Sequence, residues 1–181
     1  MRSGIAAAAL LAALCAPLAA CTSNGGASAL QGAAGPQPES AGSAVPPALR
    51  FSAKTVDGAA FDAASLAGKP VLLWFYGPTC DECPAQAFET AALADRHVGR
   101  VHVVAVAGPG AGSGLQGFAD PAAGGSVTHL ADERHALRDR FHAGGVNTYV
   151  LLDEHGDNVY RGSGADTGSL DRELDALVGD A

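Results

Sequence analysis

Residues 71–84 of the 181-residue chain read Val-Leu-Leu-Trp-Phe-Tyr-Gly-Pro-Thr-Cys-Asp-Glu-Cys-Pro, and the fold prediction starts from them. Its first six residues form a short apolar and aromatic run, which predicts a buried central strand. A Gly-Pro pair ends that strand. Residues 85–94 have a composition that favours a helix. Two cysteines, Cys80 and Cys83, therefore lie between a buried strand and a helix.

A Cys-x-x-Cys pair in that position is typical of a thioredoxin-like redox site. The unpaired N–H groups and partial positive charge at a helix start stabilise a thiolate. We therefore expect Cys80 to be the nucleophile and Cys83, one turn into the helix, to be the resolving thiol. A structural disulfide and half of a zinc site are the alternatives. Zinc needs about four ligands, and the sequence has no second Cys-x-x-Cys and no His-x-x-x-His.

Residues 1–20 are predicted to be a lipoprotein signal peptide. Arg2 supplies a positive start, and residues 5–14 are apolar and rich in Ala and Leu. The stretch Leu18-Ala19-Ala20-Cys21 resembles a bacterial lipobox, in which the cysteine carries lipid and becomes the first residue of the mature protein. An ordinary cleavable signal is the alternative. We expect a protein anchored by lipid at the extracytoplasmic face of the bacterial cell membrane.

This interpretation accounts for the four cysteines. Cys15 lies in the segment expected to be removed, and Cys21 would carry lipid. Cys80 and Cys83 then remain as one pair in a compartment where disulfides persist. Residues 21–48 are mostly Gly, Ala, Ser and Pro, which predicts a flexible tether. Residues 49–181 are then the folded domain. The formal net charge of −8 argues against nucleic acid as a partner.

The remaining pattern predicts an α/β fold, with a mixed central sheet flanked by helices and an N-terminal β-hairpin. Further strands are expected at residues 49–58, 101–107, 127–130, 148–152 and 159–161. Further helices are expected at residues 132–141 and, with Ser169 as N-cap, near the C-terminus. The apolar face of this last helix consists of Leu170, Leu174, Leu177 and Val178. A weak helix is expected at residues 115–118 within a Gly-rich loop.

From residue 51 to residue 178 the chain resembles the exported thioredoxins of the TlpA/ResA/DsbE type. The resemblance rests on Thr55-Val56-Asp57-Gly58, Leu66-Ala67-Gly68-Lys69-Pro70, Trp74-Phe75-Tyr76 before the cysteines, and residues 149–156. It implies a thioredoxin-like fold and disulfide exchange with exported cysteine-containing proteins or a membrane redox partner. We also expect a monomer that needs no metal or other cofactor.

Three positions depart from the pattern of such proteins. Asn147 stands where the family has a cis-proline, and a cis bond before a non-proline residue costs about 2.5–4 kcal/mol, so we expect a trans bond. Gln86 replaces a glutamate that assists proton transfer, and an amide cannot titrate. Trp74 replaces the buried aspartate of ordinary thioredoxins. No carboxylate remains at either position to deprotonate Cys83, so resolution should be slow.

The dipeptide between the cysteines is acidic. Asp81 and Glu82 place two negative charges near the Cys80 sulfur, and at ~7 Å each repulsion of a thiolate is about 0.6–2.4 kcal/mol. This repulsion opposes the stabilising effect of the helix start. A thiolate that is less stabilised makes the reduced form less favoured. The dipeptide therefore predicts a reductant.

Two other function classes are compatible with the sequence. A copper-binding protein of the SCO type shares the fold and uses two cysteines with a distant histidine, and Pro84 fits its pattern. Its cysteines, however, are separated by three residues rather than two. Candidate third ligands are His129, His135, His142 and His155. The other class is a thioredoxin-like module that has lost its chemistry and only binds a partner, which Asn147 and Gln86 would permit.

Overall fold

The computed structural model describes residues 44–111, 127–164 and 167–179. The strands are β1 (Ser52–Thr55), β2 (Ala60–Asp62), β3 (Val71–Tyr76), β4 (His102–Ala107), β5 (Val127–Ala131), β6 (Thr148–Leu152) and β7 (Asn158–Ser163). The α-helices are α1 (Cys83–Arg96), α2 (Ala136–Arg140) and α3 (Thr167–Gly179). Short 3₁₀ helices span Pro47–Leu49 and Ala63–Leu66.

These strands form one mixed sheet in the order β2-β1-β5-β4-β3-β6-β7. The pairs β3–β4 and β4–β5 are parallel, and the other pairs are antiparallel. The strand predicted from the apolar run is β3, whose six residues are all buried. It lies between β4 and β6, and both faces of the sheet are covered. Side chains on both faces of β3 are therefore buried, so apolar and polar residues do not alternate along it.

Residues of β3 alternate between two apolar clusters, one on each face of the sheet. Leu72, Trp74 and Tyr76 pack in one cluster together with buried residues of α1 and α3. Val71, Leu73 and Phe75 pack in the other, together with residues of α2 and of the 3₁₀ helices. Both cysteines belong to the first cluster or pack against it. The redox pair thus lies on the face covered by α1 and α3.

An N-terminal hairpin precedes the central strand, as predicted. Strands β1 and β2 pair antiparallel, and the turn between them contains Gly58 at φ +90°, a left-handed conformation that favours glycine. The described part of the domain includes residues before the hairpin, since Pro46 and Leu49 are buried. The division into leader, tether and domain stays a prediction. In the described residues, no helix is long and apolar enough to span a bilayer.

Two helix predictions were wrong in detail. The helix expected over residues 132–141 is only Ala136–Arg140, because the Asp132 carboxylate accepts hydrogen bonds from the backbone N–H groups of Leu137 and Arg138 and holds the chain in a turn. Ser169 is the third residue of α3 rather than its N-cap. The helix expected at residues 115–118 lies outside the described residues.

Candidate redox site

Cys80 and Cys83 are joined by a disulfide, with S–S 2.01 Å and Cα atoms 5.3 Å apart. Cys83 is the first residue of α1, so the pair lies at the start of that helix, as the sequence predicts. Cys83 is only 1% exposed, whereas Cys80 is partly exposed. An incoming thiol or disulfide therefore has access to Cys80 but not to Cys83.

Trp74 belongs to the same buried cluster as Cys83, and it stands at the position where ordinary thioredoxins have an aspartate. It is 1% exposed and stacks on Tyr76, with ring centroids 4.8 Å apart, and on Tyr149, at 6.3 Å. Its indole N–H donates to Asn147 Oδ1 at 3.1 Å. Trp74, Tyr76 and Tyr149 therefore form an aromatic floor, in which Trp74 supplies ring packing and one hydrogen bond where an aspartate would supply a carboxylate.

Asn147 precedes β6 and adopts a left-handed conformation, with φ +56°. No cis peptide occurs among the described residues, so the Val146–Asn147 bond is trans, as expected. The backbone carbonyl of Asn147 accepts from the Gly164 N–H at 2.6 Å, and its side-chain Nδ2 donates to Glu82 Oε2 at 3.3 Å. The loop before β6 thus contacts the residue that immediately precedes Cys83.

Gln86 belongs to a closed hydrogen-bond ring. Its Nε2 donates to Tyr149 Oη at 3.0 Å, and Tyr149 Oη lies 2.5 Å from Thr90 Oγ1. The Thr90 hydroxyl donates to the Gln86 backbone carbonyl at 2.8 Å, so the Tyr149 hydroxyl donates to Thr90. Gln86 and Thr90 are both buried. The amide therefore satisfies a buried neutral ring, which a carboxylate in the same place would charge at a desolvation cost.

The acidic dipeptide is on the surface, because both Asp81 and Glu82 are exposed. Water around exposed carboxylates reduces their repulsion of the Cys80 thiolate. Glu82 differs from Asp81 in being held by Asn147. Cys21, the expected lipid attachment site, lies outside the described residues.

The sequence did not predict a contact between the buried Tyr76 and the partly buried His129. Tyr76 Oη lies 3.2 Å from His129 Nδ1, and the two rings meet edge to face with centroids 6.1 Å apart. Burial raises the pKa of Tyr76 to about 12 and lowers the pKa of His129. Because side chains alternate along β3, Tyr76 lies on the same face of the sheet as Trp74, and this alternation could have identified Tyr76 as a site residue. Its partner comes from a strand that is not adjacent to β3, which no local pattern shows.

The candidate copper ligands do not gather around the cysteines in the described part of the chain. There, no group of three or more His, Cys, Asp or Glu side chains is arranged to hold a metal ion. His129 contacts Tyr76 through Nδ1, and His155 lies beside Glu154 on the surface. His135 and His142 both adopt positive φ, and they lie at opposite ends of the short helix α2. None of these positions favours the copper hypothesis.

The two buried tyrosines predict an alkaline loss of stability. Burial raises the pKa of Tyr76 and of Tyr149 to about 12, from about 10 in the unfolded chain. The folded state holds both hydroxyl protons more tightly than the unfolded chain does. Their contribution to the free energy of unfolding is therefore complete below pH 10 and is lost as the pH rises from 10 to 12. Each shift corresponds to about 2–3 kcal/mol.

Urea unfolding of the oxidised protein between pH 8 and pH 12 measures this loss. Tyr76→Phe and Tyr149→Phe, which keep the rings but cannot ionise, should each flatten the decline in the free energy of unfolding. A decline as steep in the double variant as in the wild type would contradict the assignment.

Comparison with known proteins agrees with this geometry. The Redoxin family profile matches residues 40–178. The chain is 56% identical over 39 residues to the soluble secreted antigen MPT53 of Mycobacterium tuberculosis and of Mycobacterium bovis. That alignment covers 22% of this chain and 22% of MPT53, so it spans about a fifth of the curated relatives.

Several solved structures, including the following two, match over nearly their whole length. The chain is 34% identical to MTB DsbF, with a TM-score of 0.65, covering 74% of this chain and 99% of that one. It is 28% identical to a secreted Mycobacterium tuberculosis disulfide oxidoreductase homologous to E. coli DsbE, with a TM-score of 0.61, covering 72% of this chain and 98% of that one. Both findings confirm the predicted thioredoxin-like fold.

The fold, the Cys80–Cys83 disulfide at the start of α1 and these relatives agree with one another. Together they support thiol-disulfide oxidoreductase activity. The chain belongs to the Redoxin family.

Proposed function

We propose that this chain is an extracytoplasmic thiol-disulfide oxidoreductase of the TlpA/ResA/DsbE type, which exchanges disulfides with exported proteins as a monomer. The observation that carries the proposal is the disulfide of a partly exposed Cys80 with a buried Cys83 at the first residue of α1. The secreted disulfide oxidoreductase among the structural relatives supports an extracytoplasmic site of action.

In the reducing direction, the Cys80 thiolate attacks one sulfur of a client disulfide. The client's S–S bond breaks, a Cys80–client disulfide forms, and one client thiolate leaves. The Cys83 thiolate then attacks the Cys80 sulfur, which closes the Cys80–Cys83 disulfide and releases the second client thiolate. Two electrons pass from the protein to the client, and the reverse sequence oxidises a dithiol client.

Each step depends on groups at the site. Exposure makes Cys80 the sulfur that the client meets, and the N–H groups at the start of α1 stabilise its thiolate. Cys83 has no carboxylate at the Gln86 or Trp74 positions to take its proton. Gln86 is instead engaged with Tyr149. We therefore propose that release of the client from the mixed disulfide is the slow step.

We also propose that the pair works on the reducing side. Asp81 and Glu82 lie within the loop closed by the disulfide, and both repel a thiolate on Cys80. The disulfide form does not experience this repulsion. The carboxylates thus favour loss of electrons by the protein, which is the behaviour of a reductant.

Anchoring belongs to the same proposal. Residues 1–20 are the leader, lipid on Cys21 holds the mature protein at the membrane, and the residues between Cys21 and the buried Pro46 tether the domain. The support is the stretch Leu18-Ala19-Ala20-Cys21 after an apolar run. Mass spectrometry of the mature N-terminus tests this, and an unmodified N-terminus beyond Cys21 would refute it.

Trapping of clients tests the proposed function. A Cys83→Ala variant cannot resolve a mixed disulfide, so it should accumulate covalent complexes with exported proteins that a thiol reductant releases. The control is Cys80→Ala with Cys83→Ala, which should trap nothing. Non-covalent association without any mixed disulfide would favour the binding module. Stoichiometric copper retained only by the reduced wild type would favour the metal-binding class.

A further inference from the structure

Asn147 has a backbone conformation and a set of contacts that a proline at this position could not provide. Its φ of +56° lies in the left-handed region, which asparagine tolerates better than most residues, whereas the proline ring fixes φ near −65°. It is 7% exposed. The departure from the family pattern is therefore accommodated by a different backbone, with a polar side chain turned into the site.

That side chain bridges two groups that come from distant parts of the sequence. The indole N–H of Trp74 can only donate, and it donates to Asn147 Oδ1 at 3.1 Å. The Glu82 carboxylate accepts from Nδ2 at 3.3 Å. The buried indole thus fixes the orientation of the amide, and the amide in turn presents its N–H group to Glu82.

The position of the Glu82 carboxylate determines how strongly its charge repels a thiolate on Cys80. Glu82 lies between the two cysteines, inside the loop closed by their disulfide. Its side chain is exposed and would be free to turn into water without a partner, where screening would reduce its effect on Cys80. The contact with Asn147 keeps this charge at the redox site.

We propose that Asn147 is a positioning residue that holds the Glu82 carboxylate beside the Cys80–Cys83 pair and thereby makes the pair more reducing. The inference rests on the proposed redox function of that pair. A further residue is part of the arrangement: the Gly164 N–H binds the Asn147 carbonyl, and a Cβ on Gly164 would overlap the Asn147 side chain. Gly164 leaves the space that the amide occupies.

A double-mutant cycle on the full chain tests the proposal. Asn147→Gly keeps a residue that tolerates positive φ but removes the amide, and it is made alone and together with Glu82→Gln. The measured quantity is the equilibrium constant with the glutathione couple. Asn147→Gly should shift it three- to tenfold toward the reduced protein, about 15–30 mV for two electrons. In the Glu82→Gln background the same change should shift it by less than 1.5-fold.

Asp81→Asn is the matched control, and it also covers the case in which Asn147→Gly fails to fold. It removes one charge from the same loop, but Asp81 lies outside the bridge formed by Asn147. Glu82→Gln should therefore shift the equilibrium at least twice as far as Asp81→Asn. Equal shifts for these two variants, or an Asn147→Gly shift that persists with Gln at position 82, would overturn the proposal.

The failure of this inference can be told apart from failure of the proposed function. A wild-type pair that equilibrates with glutathione, together with additive effects of Asn147→Gly and Glu82→Gln, refutes only the positioning role. A wild-type pair that does not equilibrate at all refutes both.

Discussion

Replacing Cys80 with serine should abolish catalysed disulfide exchange, leaving only the rate seen without the protein. The thiolate is the nucleophile in every exchange step, and a serine hydroxyl neither ionises near neutral pH nor forms a disulfide. Cys83 cannot take over, because it is only 1% exposed at the first turn of α1. The measurement is the reduction of insulin disulfides by the pre-reduced protein.

The matched variant Cys83→Ser should behave differently. It retains the partly exposed Cys80 thiol, so it should react once with the insulin disulfide and stop as a mixed disulfide, with no turnover. Cys80→Ser should show no such burst. A burst from Cys80→Ser, with none from Cys83→Ser, would reverse the two roles and contradict the assignment based on exposure.

Replacing Trp74 with alanine should cost more stability than any other single change in the aromatic floor. Loss of a fully buried tryptophan costs about 3–5 kcal/mol in unfolding free energy. The variant also leaves Asn147 Oδ1 without the indole N–H, which adds about 1–3 kcal/mol if water does not replace it. The rings of Tyr76 and Tyr149 lose their stacking partner as well. Urea unfolding of the oxidised protein measures the loss.

Trp74→Phe separates the packing of the ring from its hydrogen bond. It keeps an aromatic side chain but has no N–H group, so its loss should be less than half that of the alanine variant. Equal losses for the two variants would show that the hydrogen bond, rather than the ring, stabilises the site. A loss below about 1 kcal/mol for Trp74→Ala would contradict the packing described for β3.

The sequence predicted the centre of the fold well, for local reasons. Six consecutive apolar residues followed by Gly-Pro define β3, and the helical composition after the cysteines defines α1, which extends from Cys83 to Arg96. Both signals arise within a few residues. The mixed sheet and the hairpin followed from the order of such local patterns, because chain connectivity restricts which sheets are possible.

The length of helix α2 and the contacts of Asn147 were not predicted, because they depend on residues farther apart in the sequence. Asp132 reaches backbone N–H groups five and six residues later, and this contact shortens the helix that composition alone extends to residue 132. The bridge from Trp74 to Asn147 joins residues 73 positions apart. The sequence located Asn147 and predicted its trans bond, but it could not show the positive φ or the contact with Glu82.

An amide at position 86 has two consequences for the site. In the sequence it stands for a lost proton carrier, since an amide does not titrate. In the structure it also completes the neutral ring with Tyr149 and Thr90, both buried. The ring needs a tyrosine from β6 that no pattern around Gln86 indicates. The same substitution therefore removes the proton carrier and completes the buried hydrogen-bond ring.

The reduction potential of the Cys80–Cys83 pair shows whether the protein is a reducing disulfide oxidoreductase. We expect a reversible two-electron couple nearer to thioredoxin, at about −270 mV, than to the strong oxidant DsbA, at about −120 mV. Equilibration of the full chain with glutathione, with the thiols counted by alkylation, gives the value. A potential below about −200 mV is the predicted result. A potential above about −150 mV, or a pair that does not equilibrate with glutathione, would contradict a reducing disulfide oxidoreductase.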